Sequence, residues 1–184
     1  ILFNTCMFRM VGTTEFADSH GWVTNWDPTH TKKFIQDRIQ SGEKTFTGAY
    51  IITNQGIKKP KSEVVVDEFL TPIWKDRHNI IRHIKTNHLL QAAHQKLGKY
   101  KGWGGGGFMA YEVVTDLMYT PVLPKPEDRY TWANAGPGAK RGLNRLHGRP
   151  LNKSLKPHQC NAEMRRLLTM HGLFTSEYIP TESV

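Results

Sequence analysis

"GWGGGGFMAYEVVTDL", residues 102–117, decides the fold. Gly104 to Gly107 stand directly before a stretch of helical spacing. Ahead of them runs "IWKDRHNIIRHIKTNHLLQAAHQKLG" (73–98), the longest helical stretch. There Ile73, Ile80, Ile81 and Ile84 share one face, and Asn87 is placed to cap a second helix. Helix, glycine turn, helix is thus the central device. Gly104, Gly106 and Ala110 fit G-x-G-x-x-x-A. A dinucleotide motif of this kind would follow a strand, and here a helix comes first. Four glycines exceed what a turn needs. Their N–H groups, with the helix N-terminus, can face a phosphate, and Ala110 allows close helix approach.

Working outward, the chain reads as mostly helical. "FNTCMFRM" (3–10) suits a buried helix. "DPTHTKKFIQDRIQSG" (27–42) has a cap at Asp27, Pro28 at the first helical position and Gly42 as a stop. "TFTGAYIITNQG" (45–56) is either a short strand or a buried helical turn, with Ile51–Ile52 as core. "SEVVVDEFLTPIW" (62–74) starts at a Ser62 cap. Its Val64–Val66 run favours strand, while Glu63, Asp67 and Glu68 suit a helix. "YTPVLPKPEDRY" (119–130) is a loop. "GPGAKRGLNRLHG" (136–148) and "KPHQCNAEMRRLLTMHG" (156–172) are further helices, and "EYIPTESV" (177–184) looks cut off. The chain also starts at Ile1, so it reads as a piece of a longer one. No linker divides it, which predicts one domain over 1–184, with hairpin units near 88–117 and 132–149.

Composition narrows the partners. The chain has 184 residues and a net charge of +9, with a mean hydropathy of −0.53 and a pI near 9.6. At this length roughly 70% of the unfolded surface can be buried. No apolar run approaches the ~18 residues of a membrane span. Basic excess favours a polyanion, most often nucleic acid, through counterion release. Cys6 and Cys160 fit no metal spacing and read as reduced thiols of an intracellular, cytoplasmic protein. The histidines give no H-E-x-x-H, and P-loop and G-x-S-x-G motifs are absent.

Two clusters carry candidate chemistry. Glu112 and Asp116 lie four residues apart on one helical face, where like charges repel. A Mg²⁺ ion, an arginine or solvent would offset that repulsion, and a half-buried carboxylate pair can do acid–base work. Arg9, inside an otherwise apolar helix, needs a carboxylate, and Glu112 or Asp116 is the predicted partner. In "WANAGPGAKRGLNRLHGR" (132–149), Gly136 and Gly138 open a helix bearing Lys140, Arg141, Asn144, Arg145 and, beyond it, Arg149. That is a phosphate site by backbone and by charge. Trp132 and Asn134 beside it suit stacking and edge-reading of a base. Tyr111, Asn54 and Gln55 are further base-contacting candidates, and Asn4 a further cleft-lining one.

These segments resemble known families. Residues 88–117 resemble the helix-hairpin-helix unit of DNA glycosylases, which implies an all-α fold of two helical lobes around a cleft with a flipped base. Two departures matter: Asn134 and Gly136 occupy the neighbourhood of the catalytic aspartate, and Phe108 falls at the Schiff-base lysine. "NTCMFRMVGTTE", "TGAYIITNQG", "FMAYEVVTDL" and "WANAGPGAKRGLNRLHGR" together are similar to the phage thymine-hypermodification family. Its members are alpha-glutamyl/putrescinyl thymine pyrophosphorylases, or amino acid:DNA transferases, related to the helical domain of 5-hydroxymethyluracil DNA kinases. The resemblance implies that an amino acid or polyamine displaces pyrophosphate from pyrophosphorylated 5-hydroxymethyluracil in duplex DNA, after a kinase has acted. It implies Asp116, Glu112, Asn134 and Arg9 as catalytic residues. The rivals are a glycosylase that removes a modified base and a non-catalytic helical DNA-binding domain of such a kinase.

Overall fold

The structure, a computed structural model, describes residues 1–175. The expectation for 177–184 lies outside them. The chain is all-α, and the described residues form no strand. In order come α1 (Leu2–Val11), α2 (Thr14–His20), α3 (Pro28–Gln40), α4 (Lys61–Glu63), a π-helical segment (Val64–Leu70), α5 (Thr71–Asn87), α6 (Leu90–Leu97), α7 (Phe108–Leu117), α8 (Pro137–Leu146) and α9 (Pro157–Thr175). They form two compact units, Ile1–Glu127 and Asp128–Val184.

The first unit is organised around the run from α4 through α5. Val64, Val65 and Val66 are consecutive and fully buried, together with Phe69 and Leu70. The apolar side of this helix packs against α1, α3 and α5, while Asp67 and Glu68 face outward to Lys32 and Lys59. Tertiary burial therefore overrides the strand preference of the valines. Pro72 explains the π geometry. Its ring would collide with the carbonyl four residues back, at Glu68, and it offers no N–H. Widening the preceding turn relieves the collision and keeps the helix continuous. The displaced carbonyls find donors: Thr71 N–H and Oγ1–H both bond Val66 O, the latter at 2.8 Å. The Trp103 indole N–H donates to Phe69 O at 3.1 Å.

Trp103 is fully buried and anchors the connection from α6 to α7 in this core. Its neighbours must then lie very close to other chain. A Cβ at Gly102 would stand 2.4 Å from the Phe69 ring, on a backbone with φ +89°; one at Gly104 would stand 2.8 Å from Gly98 O. Nothing crowds Gly106. Asp76 of α5 ties the same region together, accepting from Tyr100 Oη–H and, at 3.3 Å, from Lys96 Nζ. The Tyr100 hydrogen bond holds the Asp76 carboxyl below its ordinary value.

Several local expectations hold. Asp27 caps α3, accepting from the Thr29 and His30 N–H groups at 2.9 Å, with Pro28 behind it. Others are corrected. Residues 45–56 form neither strand nor helix. Thr47 N–H donates to Val11 O at 2.8 Å and Tyr50 Oη–H to Arg9 O at 2.6 Å, so this segment satisfies the open carbonyls at the end of α1. Only Ile52 is core; Ile51 is 84% exposed. Asn87 does not cap α6 but donates back to His83 O at 2.8 Å. Ser62 is buried and accepts from Gln36 instead of capping. Both cysteines are free and buried. No helix among the described residues is long and apolar enough to cross a membrane.

The second unit pairs α8 with α9 around Leu143, Leu155 and Cys160. Arg149 forks onto Glu163 at 2.7 and 2.5 Å, closing the loop after α8 onto α9.

Two measurements check this account. In urea denaturation, Gly102→Ala and Gly104→Ala should each lose at least about 1 kcal/mol, whereas Gly106→Ala should stay within about 0.5 kcal/mol of wild type. Equal effects at all three positions would show that close approach is not what the glycines provide. Because folding depresses the Asp76 pKa, its stabilisation is complete above the unfolded value near 3.8 and is lost as pH falls through the folded one. Thermal melts of wild type and Asp76→Asn should therefore differ at neutral pH and converge in acid.

Candidate functional site

In the first unit, α1 packs along α7, and the contact carries the charged cluster. The spacing of Glu112 and Asp116 places both carboxylates on one face of α7, and Arg9 near the end of α1 meets them. Arg9 Nε donates to Asp116 Oδ2 at 2.7 Å, Nη2 donates to Asp116 Oδ1 at 2.6 Å, and Nη1 lies 2.9 Å from Glu112 Oε2. The three side chains remain about a third exposed, at 32%, 26% and 38% for Arg9, Glu112 and Asp116. The Asp116 hydrogen bond, ahead of the charge of both carboxylates, holds the guanidinium more firmly protonated than usual. The predicted pairing of Arg9 is thus made with both carboxylates at once.

This arrangement limits the chemistry. Both Asp116 oxygens are engaged, so a general-base role falls more readily to Glu112, of which only Oε2 is held. A guanidinium already stands where a Mg²⁺ between the carboxylates would need to be. Among the described residues, no three His, Cys, Asp or Glu side chains gather to hold a metal. The donor set does not fit a bound ion.

Tyr50 and Phe108 border the cluster. Their rings meet edge to face, with centroids 5.4 Å apart, and Phe108 is half exposed. Burial pushes the Tyr50 phenol up. A groove of about 510 Å³ is lined by Phe8, Arg9, Thr13, Ala17, Asp18 and Tyr50. Sequence reasoning missed Tyr50 and Phe108 as neighbours of the carboxylates. The aromatic at each position was visible, but only the hydrogen bond of Tyr50 to α1 brings them together.

The remaining candidates of this unit divide. Tyr111 is half-buried and meets His94 at 6.4 Å, while His94 Nε2 lies 2.9 Å from Gly107 O, steadying the start of α7. Gly104 is committed to close packing; Gly106 is exposed on the turn. Asn54 donates to Lys59 O at 2.8 Å and holds its own loop. Gln55 is exposed at the tip of that turn, with φ 51°. Asn4 is buried and bonds both ways with the Val23 backbone, at 2.9 and 2.8 Å, so it lines no cleft.

In the second unit, α8 begins at Pro137 after an extended Gly136 cap. Arg141 and Arg145 lie one turn apart and exposed, and Lys140 is partly exposed. None of the three makes an ion pair or side-chain hydrogen bond among the described residues. Gly138 and Gly142 share the arginine face, and a Cβ at either would meet nothing. The helix therefore presents bare backbone beside two free guanidinium groups. Asn144 is corrected: it is fully buried and donates to Leu151 O at 3.3 Å and Lys153 O at 2.9 Å, so it anchors the following loop and cannot reach DNA. Arg149 is likewise committed, to Glu163. Trp132 and Asn134 are half-buried ahead of α8.

The family model described as 5-hmdU DNA kinase, helical domain, fits residues 1–171. Neither the curated proteins nor the solved structures give a match.

Arg9→Ala should destabilise the protein by about 1 kcal/mol in urea denaturation, the range of a part-exposed ion pair. Adding Glu112→Gln and Asp116→Asn should return part of that loss, because the repulsion that Arg9 offsets is then gone. Strict additivity of the three changes would show that the residues do not act as one cluster.

Proposed function

The chain belongs to the family of 5-hmdU DNA kinase helical domains, and from that premise we propose that it is a DNA-binding helical domain serving the modification of 5-hydroxymethyluracil in duplex DNA. The observation that carries this is the outward face of α8. Arg141 and Arg145 stand unpaired on it, with Lys140 beside them and bare backbone at Gly138 and Gly142. Free guanidinium groups along the exposed face of a glycine-led helix suit phosphate oxygens by charge and by the fork of their N–H groups. Glycines allow the DNA backbone to come closer than any side chain would. The kinship to glycosylase folds belongs to the same proposal.

A second reading is catalytic and is favoured by Glu112. One of its oxygens is held by Arg9 and the other is left to accept a proton. In this reading the amine of an amino acid or polyamine attacks the exocyclic methylene carbon of pyrophosphorylated 5-hydroxymethyluracil. A C–N bond forms, the C–O bond to pyrophosphate breaks, pyrophosphate leaves, and Glu112 takes the amine proton. The glycosylase alternative has less support: Asn134 and Gly136 stand in the neighbourhood where a catalytic aspartate would be needed.

Fluorescence anisotropy on duplex DNA containing 5-hydroxymethyluracil tests the binding domain. Arg141→Ala with Arg145→Ala should weaken binding and lower the salt dependence by about two phosphate contacts. An unchanged slope would remove α8 from the interface. Mass spectrometry of nucleosides after incubation of pyrophosphorylated DNA with amino acids and polyamines tests the second reading. An amine adduct that disappears in Glu112→Gln would establish it; a free base would establish the glycosylase instead.

A further inference from the structure

The outward face of α5 carries unmatched charge of its own. Lys75, His78, Arg82 and Lys85 fall at positions i, i+3, i+7 and i+10, which sets them in one row along the helix. Ile73, Ile80 and Ile84 turn the opposite side of α5 into the core, so the row points outward. All four side chains are exposed. None of them makes an ion pair or a side-chain hydrogen bond among the described residues.

Nothing on the helix offsets this charge. Asp76 is the one carboxylate of α5, and Tyr100 and Lys96 hold it. Arg77 is committed as well. Its guanidinium lies 3.9 Å from the centroid of the Trp74 ring, and Nη1 donates to Trp74 O at 2.7 Å. Lys75, Arg82 and Lys85 are left as three unpaired cations in a fixed order.

The neutral residues of the face narrow the partner. Besides the three cations, the exposed positions of α5 are His78, Asn79, Thr86 and Asn87. No apolar side chain stands among them. A protein interface is built around apolar or aromatic anchors, and a helix lying on a membrane buries an apolar face. The α5 face has neither. It has charge at regular intervals with short polar side chains between, the combination that meets phosphates. From Lys75 to Lys85 the row is about 15 Å long. Over that length one strand of a DNA duplex presents about four phosphates.

We propose that the outward face of α5 is a second contact surface for the DNA backbone, with Lys75, Arg82 and Lys85 each on a phosphate. Phosphate contacts carry no sequence information, so this surface adds affinity for any duplex, with or without 5-hydroxymethyluracil. The inference rests on the DNA-binding reading above and goes beyond it by placing part of the interface in the first unit.

The test measures anisotropy of the full chain with duplex DNA, with and without 5-hydroxymethyluracil, at several salt concentrations. The triple variant Lys75→Gln, Arg82→Gln and Lys85→Gln removes three charges and keeps a good helix former at each position; circular dichroism checks its fold. Its salt slope should fall by about three phosphate contacts, equally on both duplexes. A footprint of the wild-type protein needs no variant. Bound duplex should shield Lys75 and Lys85 from acetylation, while Lys33, paired with Asp37 on α3, should react as in the free protein. An unchanged slope with Lys75 and Lys85 unshielded, while Arg141→Ala and Arg145→Ala still weaken binding, would overturn the α5 surface alone. Binding to vesicles of anionic phospholipid that the triple variant loses, with its DNA binding unchanged, would assign the face to a lipid surface and overturn the proposal as well. No binding of either duplex by wild type would overturn both the surface and the reading on which it rests.

Discussion

Arg9 is the interaction on which the first unit depends. Without it, α7 would present two carboxylates one turn apart to a neighbouring helix, and the two helices would be forced apart or solvated. With it, one guanidinium satisfies three carboxylate oxygens at 2.6 to 2.9 Å and fixes both the rotation and the register of α7 against α1. The strength of such a part-exposed cluster is modest, about 1 kcal/mol. Its specificity is what matters, because a planar fork accepts few alternative geometries. Tyr50 extends the same constraint. Its hydroxyl bonds the Arg9 carbonyl at 2.6 Å, so the segment after α2 and α3 is hung on the residue that positions the carboxylates.

The second constraint is the π-helical segment and the tryptophan that plugs into it. Pro72 forces the widened turn, Trp103 donates to Phe69 O, and the α6–α7 connection is pinned where its backbone almost touches Phe69 and Gly98. This answers the question that the glycine run raises. Gly102 and Gly104 are required by close packing, before any ligand is considered. With these two glycines committed to packing, the argument for DNA moves to α8.

Net charge alone does not locate a polyanion site; pairing does. In the first unit 7 of the 16 Lys and Arg side chains make an ion pair, as in Lys32–Asp67, Lys59–Glu68, Lys96–Asp76 and Arg38–Glu43. In the second, Arg149 has a carboxylate partner and Arg129, Lys140, Arg141, Arg145 and Arg165 make no ion pair among the described residues. Unpaired guanidinium groups keep counterions that a phosphate backbone can displace, so the same formal charge favours DNA far more where it is unmatched.

The sequence by itself determined what depends on a single turn of chain: the all-α class, the Asp27–Pro28 start of α3, the glycine-led α8, and the need of an arginine in an apolar helix for a carboxylate. Those features follow from hydrogen bonds and periodicities confined to about four residues. Only the tertiary structure decided which way each polar side chain turned. Asn144 and Arg145 are neighbours on one helix, yet the first is sealed inward on the Leu151 and Lys153 carbonyls and the second faces solvent. Asn4 looks available and is consumed by the backbone of a residue 19 positions away. Val64–Val66 prefer strand and lie in a widened helix, because distant helices enclose them and Pro72 interrupts the turn. Burial is set by segments remote in sequence, and the direction of a side chain follows burial.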